Sequence, residues 1–311
     1  MTDNNNNTHK SGFVALVGRP NVGKSTLTNA LLGEKVSIVT PKAQTTRTRI
    51  QAIVNRENAQ IVLVDTPGFC GSETPLRRVL RKIAGKAPAD SDVTLIVTDL
   101  KGKEPNISAT DREVIEAAQA GYGKVVLAIN KIDKLPRKEL ILPWIEKFSE
   151  ETDLAAIIPV SAKDGDGLDV LEKTLIELLP DGESMFPPDM YTDQVERRMC
   201  EELIREQLLF QTHEEVPHSA AVVLEVFDDE RDEGGMCRLE GRIIVARESH
   251  KGIVVGKKGA RIKEISTKAR EQIEELLGSK VFLRLAVAVD KQWTRHEQSI
   301  AKYGIGQELE E

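Results

Sequence analysis

Aromatic residues, cysteines and long apolar runs are all scarce in this sequence, and each shortage removes a class of protein. Phe, Trp and Tyr make up 4% of the 311 residues, too few for the stacking platforms on which RRM and OB folds lay nucleic-acid bases. The cysteines are Cys70, Cys200 and Cys237. Odd in number, widely spaced and without metal-ligand spacing, they exclude a disulfide framework and point to a reducing compartment. No apolar run approaches the ~18 residues of a membrane span. Residues 1–11 are polar and asparagine-rich, lack the apolar segment of a secretory signal, and read as a disordered tail on a cytoplasmic protein. A net charge of −7 excludes coating of nucleic acid by bulk electrostatics, so any such contact must come from a local patch. What is present is a chain with 30% charged residues of mixed sign, long enough for two domains with separate cores.

The most informative stretch is Gly18-Arg19-Pro20-Asn21-Val22-Gly23-Lys24-Ser25, between the apolar run 13–17 and a helix-like segment from Thr26 to Leu32. In that strand, loop and helix order, G-x-x-x-x-G-K-[ST] turns consecutive backbone N–H groups toward phosphate oxygens, with the helix dipole behind them. Lys24 would reach the outer phosphates and the Ser25 hydroxyl would ligate Mg²⁺. A long, weakly periodic connection, 33–48, follows in the position of a switch loop, where Thr45 or Thr46 would face the metal and the last phosphate. Two strands then end in Asp65-Thr66-Pro67-Gly68. Asp65 is placed to hold Mg²⁺ through water, and the Gly68 backbone to sense the γ-phosphate.

Further strands and helices alternate until one strand runs into Asn130-Lys131-Ile132-Asp133. Guanine presents N1–H and N2–H₂ side by side, so one carboxylate, Asp133, can accept from both, whereas adenine offers no such pair. Asn130 would brace neighbouring loops, and the Lys131 stem would lie along the base. Ser161-Ala162-Lys163 follows the next strand, where its backbone could meet the guanine O6. In isolation D-T-P-G is a turn sequence, N-K-x-D a polar strand end and S-A-K uninformative. Their joint order after the glycine loop is not chance.

The repeated strand–helix pattern implies a mostly parallel sheet with helices on both faces and ligands at the carboxyl ends of the strands. These motifs resemble those of P-loop GTPases. The expected nucleotide set is Gly18, Asn21, Val22, Gly23, Lys24, Ser25, Thr26, Thr45, Thr46, Asp65, Gly68, Asn130, Lys131, Asp133, Ser161, Ala162 and Lys163. The metal set is Ser25, Thr46 and Asp65, with Thr45 the alternative at the threonine. Lys24, Thr46, Gly68 and Asn21 are the expected catalytic residues.

Beyond a turn-rich linker at 181–190 the pattern changes. One helix over 192–211, two strands joined by an acidic tip, a basic segment and a final strand can be read. From Arg247 to Arg270 eight Lys or Arg stand against two Glu, a local +6 in an acidic chain, as expected of a targeted nucleic-acid footprint. Within it lies Ile253-Val-Val-Gly256-Lys257-Lys258-Gly259-Ala-Arg261-Ile262. A G-x-x-G between helices can clamp a nucleic-acid backbone. The segment resembles a smaller α+β KH domain of the type whose strands precede the loop. Its expected RNA-binding residues are Ile253, Val255, Gly256, Lys257, Lys258, Gly259, Arg261, Ile262 and Lys263. A helix over 291–302 is a further expectation.

The division expected is therefore a tail at 1–11, a GTP-binding domain at 12–180, a linker at 181–190 and a KH domain with a helical tail at 191–311. That order is similar to the bacterial Era family of GTPases over nearly the whole chain. The resemblance implies GTP and GDP binding with Mg²⁺, slow GTP hydrolysis, and a monomer whose KH domain holds the 3′ end of 16S rRNA. It also implies a role in assembly of the small ribosomal subunit, with peripheral contact to the inner membrane in some members. Phe69 stands where Ras-like proteins carry a water-orienting glutamine. Era-like proteins share an apolar residue there, and Asn21 matches the asparagine that ligates K⁺ in related GTPases. Two other readings are an RNA-binding module with an inactive GTPase-like domain and a membrane signalling GTPase. The intact Lys24, Ser25, Asp65 and Asp133 oppose the first, and the G-x-x-G loop opposes the second.

Overall fold

The computed structural model describes residues 9–71, 73–100, 102, 104–229 and 235–309. By contacts it divides into a first unit (residues to 37, 46–72 and 80–193) and a second (38–45, 73–79 and 194 onward).

The first half of the chain runs β1 (Lys10–Val17), α1 (Lys24–Leu32), β2 (Ile50–Arg56), β3 (Ala59–Asp65), α2 (Pro75–Lys86), β4 (Val93–Asp99) and α3 (Ala109–Gln119). It continues through β5 (Lys124–Asn130), α4 (Leu142–Glu151), β6 (Ala156–Pro159) and α5 (Leu168–Leu178). The six strands form one sheet in the order β2-β3-β1-β4-β5-β6. Every pair is parallel except β2–β3. Strands covered on both faces must be apolar at successive positions, and all seven residues of β3 are buried. In β4, Leu95 and Val97 join one core with Leu27, Leu171 and Leu175. Ile96, between them, joins the other with Val114, Trp144 and Phe148. Parallel strands bring the loops after β1, β3, β5 and β6 to one edge, where such sheets bind ligands.

The expected tail is strand from Lys10 onward, because Lys10 and Ser11 pair with Ala59 and Gln60. Residues 1–8 lie outside the described residues. α4 starts at Leu142, where a proline occupies the first turn. The stretch 181–190 packs on the first unit: the Gln60 side chain accepts from the Met185 and Phe186 N–H groups at 2.7 and 3.0 Å.

The second unit contains α6 (Glu196–Gln211), β7 (Ala220–Asp228), β8 (Cys237–Val245), α7 (Glu248–Val255), α8 (Ala260–Leu277), β9 (Val281–Val289) and α9 (Glu297–Ala301). The sheet order is β7-β8-β9, antiparallel and then parallel. Leu203, Ile204 and Leu208 of α6 share a core with Ile265, Ala269 and Ile273 of α8 and with Leu239 and Ile243 of β8. α6 starts at Glu196 rather than 192, since Thr192 bridges to Ala52 of β2 instead. α7, ahead of the glycine loop, has no boundary visible in the sequence. The helix expected over 291–302 is confined to Glu297–Ala301, and Trp293 before it is fully buried, its Nε1–H donating to the Ser219 carbonyl at 3.1 Å. Most of the acidic tip lies outside the described residues. Residues 38–45 are held within this unit: Ile38 joins its core, and the Val39 N–H donates to Glu206 at 2.9 Å.

Candidate functional site

The loop between β1 and α1 is shaped by backbone that leaves no room for side chains. Gly18 has φ +152°, and a Cβ there would lie 2.2 Å from the Val97 carbonyl oxygen. A Cβ on Gly23 (φ +101°) would meet Asn130 Nδ2 at 2.4 Å, and one on Gly68 would meet the Pro20 Cα at 2.8 Å. Lys24 opens α1 and folds back, Nζ donating to the carbonyls of Gly18 at 3.1 Å and Arg19 at 3.2 Å. Burial lowers its pKa to about 8, against the pull of Asp65. An anion arriving in the loop would restore the full positive charge.

Three oxygen-bearing side chains converge beside Lys24. Ser25 Oγ lies 2.8 Å from Thr46 Oγ1, which is 3.4 Å from Asp65 Oδ2. Asp65 is fully buried, its carboxyl pKa is raised by that burial, and its Oδ1 has no hydrogen-bond partner. A buried carboxylate oxygen without a partner, beside two hydroxyls, fits a hard divalent cation such as Mg²⁺. Thr45 does not join this group. Its hydroxyl donates to the Lys42 carbonyl and lies against Thr40 Oγ1, both at 2.8 Å, so of the two threonines only Thr46 meets Ser25 and Asp65. The 66–69 turn is tied to β1 and the glycine loop by Thr66 Oγ1 donating to the Leu16 carbonyl (2.7 Å) and the Phe69 N–H donating to that of Gly18 (2.9 Å). Phe69 is buried, with the Arg81 guanidinium 4.7 Å from its ring centre. It can orient no water.

At the ends of β5 and β6, Asn130 braces three loops. Its Nδ2 donates to the Val22 carbonyl at 2.9 Å, and its Oδ1 accepts from the Lys131 and Ala162 N–H groups at 2.7 and 3.0 Å. Lys131 is left-handed (φ 66°) and donates from Nζ to the Asn21 carbonyl and, at 2.8 Å, to Asp99. Asp133 is exposed and oriented by Ser161 Oγ at 3.0 Å. Thr26 and Lys163 stand beside these groups in sequence. The spacing of the motifs carried no sign of Arg19 and Asp99, which join the phosphate loop to the Asn130–Asp133 segment.

In the second unit the 256–259 loop is open. Ile253, Lys257, Lys258 and Lys263 are exposed, and Val255, Arg261 and Ile262 are half-buried. Gly256, Lys258 and Gly259 have φ of 72°, 52° and 78°. Arg261 Nη1 closes the loop by donating to the Ile253 carbonyl at 2.5 Å. The tight glycine turns ahead of α8 leave the Lys257 and Lys258 side chains in solvent, where cations suit contact with a phosphodiester backbone.

Known proteins carry this combination. A family model described as 50S ribosome-binding GTPase matches residues 13–131, and a KH domain model matches residues 215–294. GTPase Era of Syntrophus aciditrophicus is 42% identical over 96% of each chain. GTPase Era of Geobacter metallireducens is 41% identical over 96% of this chain and 98% of its own. The chain belongs to the Era family of GTPases. It is thus a GTP-hydrolysing enzyme with a P-loop α/β domain followed by a KH domain. Two solved Era structures superpose with a TM-score of 0.90 at 40% identity, over 95% of this chain and 99% of theirs. One is Era in complex with MgGDPNP and nucleotides 1506–1542 of 16S ribosomal RNA, and the other is a tyrosine-to-alanine variant of Aquifex aeolicus Era bound to GDP·AlF4⁻. Among the described residues no helix is long and apolar enough to cross a membrane.

Proposed function

We propose that this protein is a GTP-driven assembly factor of the small ribosomal subunit, holding the 3′ end of 16S rRNA on its 253–263 segment. What carries the reading is one chain holding both the Ser25–Thr46–Asp65 cluster and an open G-x-x-G loop, together with its likeness to Era solved with MgGDPNP and 16S rRNA. Asp133 accepts from the guanine edge, Ser161–Lys163 line the base, and Lys24 with the N–H groups of 18–26 hold the phosphates. Ser25, Thr46 and Asp65 would hold Mg²⁺, which would supply positive charge against that developing on the phosphates. The Gly68 N–H reports the γ-phosphate. With Phe69 buried, no side chain at that position orients the attacking water, so intrinsic hydrolysis is slow. Asn21 is the residue that would hold a K⁺ ion, which would supply further positive charge to the site. A cytoplasmic location and a monomeric state belong to the same proposal.

The test uses one sample. GTP and ATP are titrated first, then the 3′-terminal 16S segment against a scrambled RNA, with Asp133→Asn and Gly256→Asp beside the wild type. Guanine preference lost only in Asp133→Asn, and RNA lost only in Gly256→Asp, is the expected result. A 16S segment that binds no better than the scramble overturns the ribosomal role and leaves the GTPase intact. Equal hydrolysis rates in K⁺ and Na⁺ remove the role of Asn21.

A further inference from the structure

Arg19 sits in the phosphate loop, yet its side chain is buried and turns toward two carboxylates. Nε donates to Asp111 Oδ1 at 2.8 Å. Nη2 donates to Thr98 Oγ1 at 3.1 Å and to the carbonyl and Oδ1 of Asp99, both at 3.0 Å. Asp111 is itself held by Ser108 Oγ at 2.6 Å and Thr98 Oγ1 at 3.1 Å. The second carboxylate oxygen of Asp99 accepts from Lys131 Nζ at 2.8 Å, and that nitrogen also reaches the Asn21 carbonyl. The result is an alternating chain of charges, Asp111–Arg19–Asp99–Lys131, running from α3 through the phosphate loop to the segment that reads the base. At its backbone, Arg19 offers its carbonyl to Lys24 Nζ at 3.2 Å.

Two cations and two carboxylates cancel, so the chain adds no net charge beside the phosphates. Burying such a network is a poor source of stability, since desolvation offsets most of the attraction and apolar replacements often serve as well. Its geometry accounts for it better. Lys131 is a flexible side chain on a left-handed backbone, and without an anchor its stem would have to be ordered each time a base arrived. A guanidinium fork binding two carboxylates at once supplies the fixed frame that a lysine at position 19 could not.

We infer that Arg19 and Asp99 are positioning residues that make phosphate and guanine recognition one rigid site. Arg19 sets Lys24 through its own carbonyl and sets Lys131 through Asp99. This rests on the GTP-binding reading of the site.

A double-mutant cycle on the full-length protein tests it, read by displacement of a fluorescent GDP analogue and by GTP turnover. Lys131→Met is expected to weaken GDP binding, which places Lys131 at the base. Asp99→Asn alone is expected to weaken GDP about tenfold and to raise KM for GTP by the same factor with kcat within twofold. In the Lys131→Met background the same change should cost less than twofold, because Asp99 acts through Lys131. Effects that simply multiply, or an Asp99→Asn enzyme whose GDP affinity is unchanged, overturn the proposal. So does a fall in kcat with KM constant, which is the mark of a smaller folded fraction. If Asp99→Asn does not fold, Arg19→Lys, which keeps the charge and loses the fork, enters the cycle, and its cost in GDP affinity should be smaller in the Lys131→Met background than alone; equal costs overturn the proposal. A wild type that binds no GDP would sink the underlying GTP reading instead.

Discussion

The two glycine loops of this protein solve opposite problems. In the phosphate loop the glycines are forced by their neighbours, with the Val97 carbonyl and the Asn130 amide occupying the places where Cβ atoms would stand. In the 256–259 loop the requirement is mainly conformational. Gly259 has φ +78° but nothing within 4 Å of an added Cβ, while Gly256 meets Arg261. The side chains follow the same division, Lys24 and Asp65 being buried and Lys257 and Lys258 exposed. A site that must exclude water and discriminate one base from another is built by the protein before its ligand arrives. A site that follows a phosphodiester backbone can stay solvated, because its affinity comes largely from counterion release.

The sharpest way to break this contrast is to add one methyl group to each loop. Gly18→Ala should cost roughly 3–5 kcal/mol and abolish nucleotide binding, whereas Gly259→Ala should cost about 1 kcal/mol, the ordinary left-handed penalty. Thermal melts of both variants decide it, and equal losses would erase the distinction. Next in size is Asp133→Asn, expected to weaken GDP by about 10²–10³-fold, since two hydrogen bonds to a charged acceptor are lost. RNA affinity should hold in the same protein.

A smaller effect separates the buried lysine from the exposed ones by pH. Lys24 has a folded-state pKa of about 8 against an ordinary 10.5. Between those values the unfolded chain binds the extra proton, so the nucleotide-free protein should gain stability as pH rises through the window. Nucleotide needs the charged lysine, so GDP affinity should fall over the same range, by up to about tenfold per pH unit. Calorimetric titration and melting temperatures from pH 7 to 10 should therefore move in opposite directions. The smallest effect belongs to the open loop. Lys257→Gln and Lys258→Gln should each lower the slope of log RNA affinity against log salt by about 0.7, with GDP binding untouched. A slope unchanged in both would remove these lysines from the RNA contact.

How far the sequence could be read differed by type of feature. The phosphate loop, Asp65 and the Asn130–Asp133 segment were legible because their chemistry demands particular residues at short, rigid spacings. The choice between Thr45 and Thr46 was not. Adjacent residues have the same composition signal, and what separates them is which way the backbone turns, toward Lys42 and Thr40 or toward Ser25 and Asp65. Stretch 181–190 looked like a linker because prolines and glycines mark turns, but the partner that holds it, Gln60, lies more than a hundred residues earlier. α7 escaped because eight residues with two buried positions give little periodicity.

By itself, then, the sequence determined the order of most elements and set at each loop residues whose functional groups suit the proposed ligand. These depend on local backbone freedom, hydrophobic period and side-chain chemistry, which travel with the residues themselves. Tertiary structure alone decided that Lys24 loses part of its hold on a proton, that Asp65 keeps an oxygen without a partner, and that Arg19 and Asp99 join two motifs more than a hundred residues apart. Those properties belong to burial and to pairs across a parallel sheet. The strand order β1-β4-β5, which no stretch of sequence states, is what brings residues 19, 99 and 131 to one edge.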